Sequence, residues 1–104
     1  MFEFIESAAF DRLRPDYLDD DDYDALQQYM MQNPEAGAVV PGSGGVRKLR
    51  WRIGGAGKRG GLRVIYYVRY QPSEFWMLTL YAKAKQENVP AHILTRLKEE
   101  FRRG

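Results

Sequence analysis

A chain of 104 residues with no cysteine has length for one modest core and builds it without disulfides, which excludes thiol catalysis and Cys-ligated zinc and fits a reducing compartment. Hydrophobic residues make up 44% and charged residues 29%, near globular averages, so the composition argues against disorder. The net charge of +2 conceals a separation of sign. Residues 1–35 hold ten acids and two bases, residues 36–86 hold ten bases and one acid (Glu74), and residues 87–104 hold four bases and three acids. A surface that is merely solvated mixes its signs. The long basic block, rich in glycine and aromatic residues, therefore points to a polyanionic partner.

The N-terminus, Met1-Phe2-Glu3-Phe4-Ile5-Glu6, has no basic region of the kind a secretory signal carries. No apolar run approaches the ~18 residues of a membrane-spanning helix. The chain therefore reads as a single soluble, cytoplasmic domain over residues 1–104, with no membrane partner. Phe2 to Ile5 predicts a first strand. Ser7 is placed to cap a short helix from Ala8 to about Leu13, ending near Arg14-Pro15, because the residue before proline disfavours the α region. The run Asp19-Asp20-Asp21-Asp22 has the look of a metal site. Tyr23, Leu26 and Met30 follow it at helical spacing, so it reads instead as a helix start, where carboxylates meet free N–H groups and the positive end of the dipole. That helix should stop at Asn33-Pro34. Residues 39–45 read as a loop.

Three segments then alternate with period two. In Val46 to Ile53, Leu49 and Trp51 point one way, and Lys48, Arg50 and Arg52 the other. Leu62 to Tyr70 sets Val64, Tyr66 and Tyr70 against Arg63, Ile65, Tyr67 and Arg69. Phe75 to Ala82 sets Trp76, Leu78 and Leu80 against Met77, Thr79 and Tyr81. Such alternation describes antiparallel strands covered on one face. Gln71-Pro72-Ser73-Glu74 makes a short hairpin connection, and Gly54 to Gly61 a longer, mobile one. Pro90 suits the first turn of a last helix with Asn88 as a nearby cap, and Ile93, Leu94, Leu97 and Phe101 form its apolar stripe. The expectation is an α+β domain in the order β-α-α-β-β-β-α. It has a small antiparallel sheet of about four strands, helices packed on one face, and the other face basic and partly aromatic.

On that basic face Lys48, Arg50, Arg52, Arg63 and Arg69 lie together, joined by Tyr67 and Tyr81. Lys58 and Arg59 sit on the glycine loop, and Lys83 and Lys85 follow the last strand. Guanidinium groups give bidentate contacts to phosphate, and flat rings stack on unpaired bases. The glycine loop is no nucleotide-triphosphate loop, because Lys58 is followed by Arg59 and no helix comes after it. His92, the only histidine, falls in the last helix, so proton transfer at this surface falls to Lys, Arg or Tyr. RNA cleavage by its own 2′-hydroxyl needs a base at that hydroxyl, positive charge at the phosphorane and a donor at the 5′-oxygen. A crowd of cations favours a neutral lysine able to act as that base. Arginine stabilises charge but accepts protons poorly.

Residues Pro41 to Arg50, Gly57 to Tyr67, and Leu78-Thr79-Leu80-Tyr81-Ala82-Lys83 together resemble the corresponding stretches of RelE/HigB-type toxins of bacterial type II toxin–antitoxin systems. The resemblance covers nearly the whole chain and is strongest toward the HigB-like branch. It implies a RelE-like fold and metal-independent cleavage of mRNA on the ribosome without a cofactor. It also implies neutralisation by a cognate, HigA-like, DNA-binding antitoxin that covers the basic face or docks on the helices. By position, Lys48 and Arg50 resemble the basic pair on the second strand, and Arg63 the arginine that opens the third. Lys83 falls near the basic residue after the fourth strand. Arg52, Lys58, Arg59, Tyr67, Tyr81 and Lys85 are then the expected RNA contacts. The late tyrosine of RelE has no counterpart in Gln86-Glu87-Asn88-Val89, and Lys48 becomes the first candidate for general base. ParE-type relatives share the architecture and poison gyrase. A non-catalytic RNA- or ribosome-binding module fits the charge pattern too.

Overall fold

The computed structural model describes residues 1–52, 61–85 and 88–103. The elements run β1 (Glu3–Glu6), α1 (Ala8–Tyr17), α2 (Asp20–Gln32), β2 (Ala38–Val39), β3 (Arg47–Trp51), β4 (Leu62–Tyr70), β5 (Ser73–Ala82) and α3 (Ala91–Arg103). They form an α+β domain whose five-stranded sheet has the order β1-β5-β4-β3-β2. The sheet is mixed: β1 runs parallel to β5, and the remaining pairs are antiparallel. The expected glycine hairpin tip falls at residues 53–60, outside the described residues. Among the described residues no helix is long and apolar enough to cross a membrane.

The helix starts follow from side-chain capping. Ser7 accepts from the Phe10 N–H at 2.9 Å. Asp19 accepts from the Asp22 N–H at 2.7 Å, and Asp22 reaches back to the Asp19 N–H, closing a capping box. The aspartate run thus begins a helix, as its spacing implies, and places three further carboxylates in the first turn. Helix α1 passes through Pro15 and ends at Tyr17, a turn beyond the expected stop. Proline there removes one hydrogen bond in the last turn, while the Leu18 N–H still reaches the Arg14 carbonyl at 2.8 Å and Leu18 is fully buried.

The expected antiparallel sheet of about four strands with helices on one face is corrected by the parallel pairing of β1 with β5, which makes the sheet mixed, and in two further respects. First, Ala38–Val39 forms an additional edge strand on β3, too short to show a periodicity. Second, the helices lie on both faces. Phe10, Leu18, Tyr23, Leu26 and Met30 of the α1–α2 region pack with Leu49, Val64, Tyr66, Phe75, Met77 and Leu80. Leu94, Leu97 and Phe101 of α3 pack on the opposite face with Ile65, Trp76, Leu78 and Tyr81. Strand β4 is therefore buried on both sides. A register shift at Ile65/Tyr66 sets the faces. Tyr66 pairs with Met77 but Ile65 with Thr79, so Leu78 is the extra residue of a bulge. Strict alternation puts Leu78 and Leu80 on one face, and the bulge separates them.

The segment between α2 and β2 is pinned to the sheet by Tyr66. Its hydroxyl donates to the Pro34 carbonyl at 2.8 Å and accepts from the Gly37 N–H at 3.0 Å. A side chain at Gly37 would meet the Lys48 backbone and the Tyr66 ring at 3.0 Å. Arg47 clamps the same segment, donating to the Gly37 carbonyl at 2.7 Å. Burial pushes the Tyr66 phenol above its usual value of 10.0. Tyr66→Phe leaves a buried N–H and a carbonyl unpaired and should cost about 1–3 kcal/mol in denaturant unfolding. Because the folded state holds this proton more tightly, the contribution of the phenol is complete below pH 10. It declines as pH rises above 10, where the unfolded chain releases the proton first. Tyr66→Phe should therefore show a shallower alkaline loss of stability than the wild type.

Candidate nucleic-acid interface

The candidate side chains lie at one end of the sheet, on the face that carries α3. Arg50 of β3 pairs directly with Arg63 of β4, and Arg63 pairs in turn with Tyr81 of β5. One step along, Lys48 pairs with Ile65 and Ile65 with Thr79. Antiparallel partners present their side chains on the same face. Lys48, Arg50 and Arg63 accordingly line one cleft of about 220 Å³, completed by Lys83 from the turn after β5 and by Asn88. The Lys83 N–H donates to the Gly61 carbonyl at 3.1 Å, tying that turn to the start of β4.

Two guanidinium groups directly opposite each other repel, and the pairing is unfavourable unless an anion joins them. Arg63 is only 8% exposed. The sequence-based view of this surface as open is therefore corrected for Arg63, which is part of the interior. Its guanidinium is oriented by a long contact to the Leu62 carbonyl, 3.4 Å. The ion pairs seen among the described residues are Arg14–Asp20, Arg47–Glu35 and Arg69–Glu74, and none involves a cation of the cleft. Gly61 matters for space: a Cβ there would stand 3.2 Å from the Trp51 carbonyl oxygen and 3.7 Å from Arg63 Nη1.

Tyr81, 6% exposed, lies beside Arg63. Burial pushes its phenol up and the Arg63 charge pulls it partly back. The result is a hydroxyl that keeps its proton at neutral pH. Lys48 donates from Nζ to Asn88 Oδ1 at 2.9 Å. Asn88 was expected as a helix cap; instead it lies ahead of α3, with its side chain turned to the cleft. Spacing gave no signal for this role, because Asn88 and Lys48 are far apart in sequence and meet only through the fold.

The remaining expected contacts fall into different places. Tyr67 shares the α3 face but lies under the helix. Lys98 Nζ sits 4.5 Å above its ring and Trp76 packs against it at 5.3 Å. Lys98 is itself buried and donates to the Gly44 carbonyl at 2.7 Å. That contact fastens α3 to the glycine turn. Arg69 lies over the Trp76 ring, 5.2 Å away, at the far end of the same face. Arg52 and Lys85 are exposed and do not line the cleft. Lys58 and Arg59 lie outside the described residues.

The arrangement concentrates positive charge around one amide acceptor, with Arg63 buried at its floor and Arg50, Lys83 and Asn88 exposed. No model of a known protein family matches the chain. If the cleft is held open for an anion, relieving its repulsion should stabilise the fold. Arg50→Gln should raise the unfolding free energy by about 0.2–1 kcal/mol at low salt. The gain should shrink as salt rises, because screening already relieves the wild type. Inorganic phosphate should raise the melting temperature of the wild type more than that of Arg50→Gln.

Proposed function

We propose that this protein is the toxin of a type II toxin–antitoxin system, a ribosome-dependent endoribonuclease that cuts mRNA without a metal. The observation that carries the reading is the opposed pair Arg50 and Arg63, set in one cleft with Lys48 and Lys83. The resemblance of the segments around β3, β4 and β5 to RelE/HigB-type toxins supports it independently.

In this reading the cleaved phosphate sits between the two guanidinium groups. Lys48, as the neutral amine, accepts the proton of the 2′-hydroxyl. The 2′-oxygen attacks phosphorus, and Arg50 and Arg63 stabilise the charge that develops on the phosphorane oxygens. The bond to the 5′-oxygen breaks as Lys83 delivers its proton there. A 2′,3′-cyclic phosphate and a 5′-hydroxyl result, with one proton accepted and one returned. Tyr81, protonated at neutral pH, supports Arg63 and borders the RNA. Arg52, Lys85, Lys58 and Arg59 extend the positive surface along the RNA backbone. The antitoxin silences the site from outside.

The test is brief expression in a bacterium followed by mapping of mRNA 5′ ends. Wild type should arrest growth and produce new cuts inside translated regions. Lys48→Ala and Arg50→Ala should remove the cuts while remaining folded, since Arg50 is exposed and Lys48 half-buried. At the buried position Arg63→Lys is the better variant, because it keeps a charge but loses the bidentate fork. It should retain the fold and lose most of the activity. Arrest with intact mRNA and DNA damage would favour gyrase as the target. Salt-sensitive RNA binding without new ends would leave a binding module.

A further inference from the structure

We infer that Asn88 is the positioning residue for Lys48: its amide oxygen holds one N–H of Lys48 and thereby aims the amine at the substrate hydroxyl. The inference rests on the reading of the cleft as a ribonuclease site. It adds a residue whose role neither charge nor spacing indicates.

Lys48 is surrounded by like charge. Arg50 lies on its own strand, Arg63 on the neighbouring strand, and Lys83 on the turn after β5; Tyr81 stands on the far side of Arg63. Among the described residues lining the cleft, Asn88 supplies the one side-chain acceptor, at 2.9 Å from Nζ. A four-carbon stem leaves an ammonium many rotamers, so an unanchored lysine would spend little time in a reactive pose. The chemistry of the anchor matters as well as its place. A neutral amide oxygen accepts from an ammonium and from a neutral amine alike. It therefore holds Lys48 through both halves of the proton transfer, and in the neutral amine it directs the lone pair away from itself. A carboxylate at the same position would hold the geometry but favour the charged form, which cannot act as base. An acidic residue would also draw the opposed arginines away from phosphate. Both considerations select an amide over an acid at this position.

The fold places Asn88 for this task. Pro90 supplies the carbonyl that receives the N–H groups of Ile93 and Leu94 in the first turn of α3, at 3.0 and 3.2 Å. Asn88 lies two residues ahead of Pro90, exposed at the mouth of the cleft, with its side-chain oxygen toward Lys48. The buried Lys98–Gly44 contact and the buried Leu94 fix the helix behind it.

The test compares wild type, Asn88→Ala and Asn88→Asp across pH, measuring single-turnover cleavage of a defined mRNA on purified ribosomes. Asn88→Ala should lose about 10- to 100-fold at every pH, as expected for a misplaced reactive group. Asn88→Asp should be slow near pH 7 but recover at higher pH, its rising limb moved up by about 1 unit or more. A purely structural residue would not separate the two profiles in this way. Wild-type rates in Asn88→Ala, or the same profile in both variants, would overturn the inference. In parallel, NMR of the lysine side chains follows the titration of Lys48 without any substrate. Lys48 should titrate at higher pH in Asn88→Asp than in wild type, and no difference would also overturn the inference. If wild type fails to cut mRNA while Lys48 responds to Asn88, the contact stands and the nuclease reading falls.

Discussion

The arrangement depends on the single extra residue in the β4–β5 ladder. Strand β4 is covered on both faces, so each of its residues must meet an appropriate partner on each side. Were the pairing of Tyr66 with Met77 continued without a bulge, Arg63 would face Leu80. The bulge at Leu78 moves Tyr81 opposite Arg63 and sends Leu80 to the core beneath α1 and α2. A one-residue slip in a sheet exchanges the two faces. Here that exchange is confined to one half of a strand. The half near the β4–β5 turn serves the aromatic packing of Phe75 and Trp76, and the other half serves the cleft.

The separation of charge along the chain becomes a separation in space. The acidic N-terminal third builds α1, α2 and their caps, which lie against one face of the sheet. The basic middle builds β3, β4 and β5, and Lys48, Arg50, Arg63 and Arg69 gather on the other face, while Arg47 stays with Tyr66 on the first. The aspartates of α2 cannot neutralise Arg50 and Arg63, because the sheet stands between them. Their own work is local, at the free N–H groups of a helix start. Arg47 and Arg69 are basic residues of the same strands, yet each finds a carboxylate, Glu35 and Glu74, in a partly exposed pair. The cleft cations thus differ from their neighbours on the same strands not in residue type but in being left without an acid among the described residues.

What the sequence conveyed follows from what is local. The caps at Ser7 and Asp19 could be read because a side chain and the N–H it serves are three residues apart. The three long strands could be read because side chains alternate along each one. Their cations share a face because Lys48, Arg50 and Arg63 lie in segments free of irregularity. The two-residue β2 carried no period. The bulge at Leu78 is invisible in an apolar run, Trp76-Met77-Leu78, where every residue is buried whichever face it takes. The side chosen by α3 was hidden for the same reason. Ile65, Trp76 and Leu78 offer it an apolar bed, and a strand that is apolar on both faces accepts helices on both. Asn88 and Lys98 were missed because their partners, Lys48 and Gly44, are distant in sequence.

A protein pays in stability for keeping Arg50 opposite Arg63, and the design of the fold shows where that cost is carried. Arg50 sits at the exposed surface of a strand, where water and salt moderate the repulsion. Arg63 is held by its own strand, between a core residue on each side in sequence, Leu62 and Val64, both buried on the opposite face. The strand ladder fixes the backbone register that sets Arg50 opposite Arg63, and a site arranged in advance costs less to fill. Lys83 and Lys85 lie on the turn after β5, outside the strand ladder, and are exposed as Arg50 is. In the proposed reaction this division is useful. The arginines assigned to the phosphorane come from paired strand positions, while the group assigned to the departing oxygen comes from a turn anchored at its backbone by Gly61.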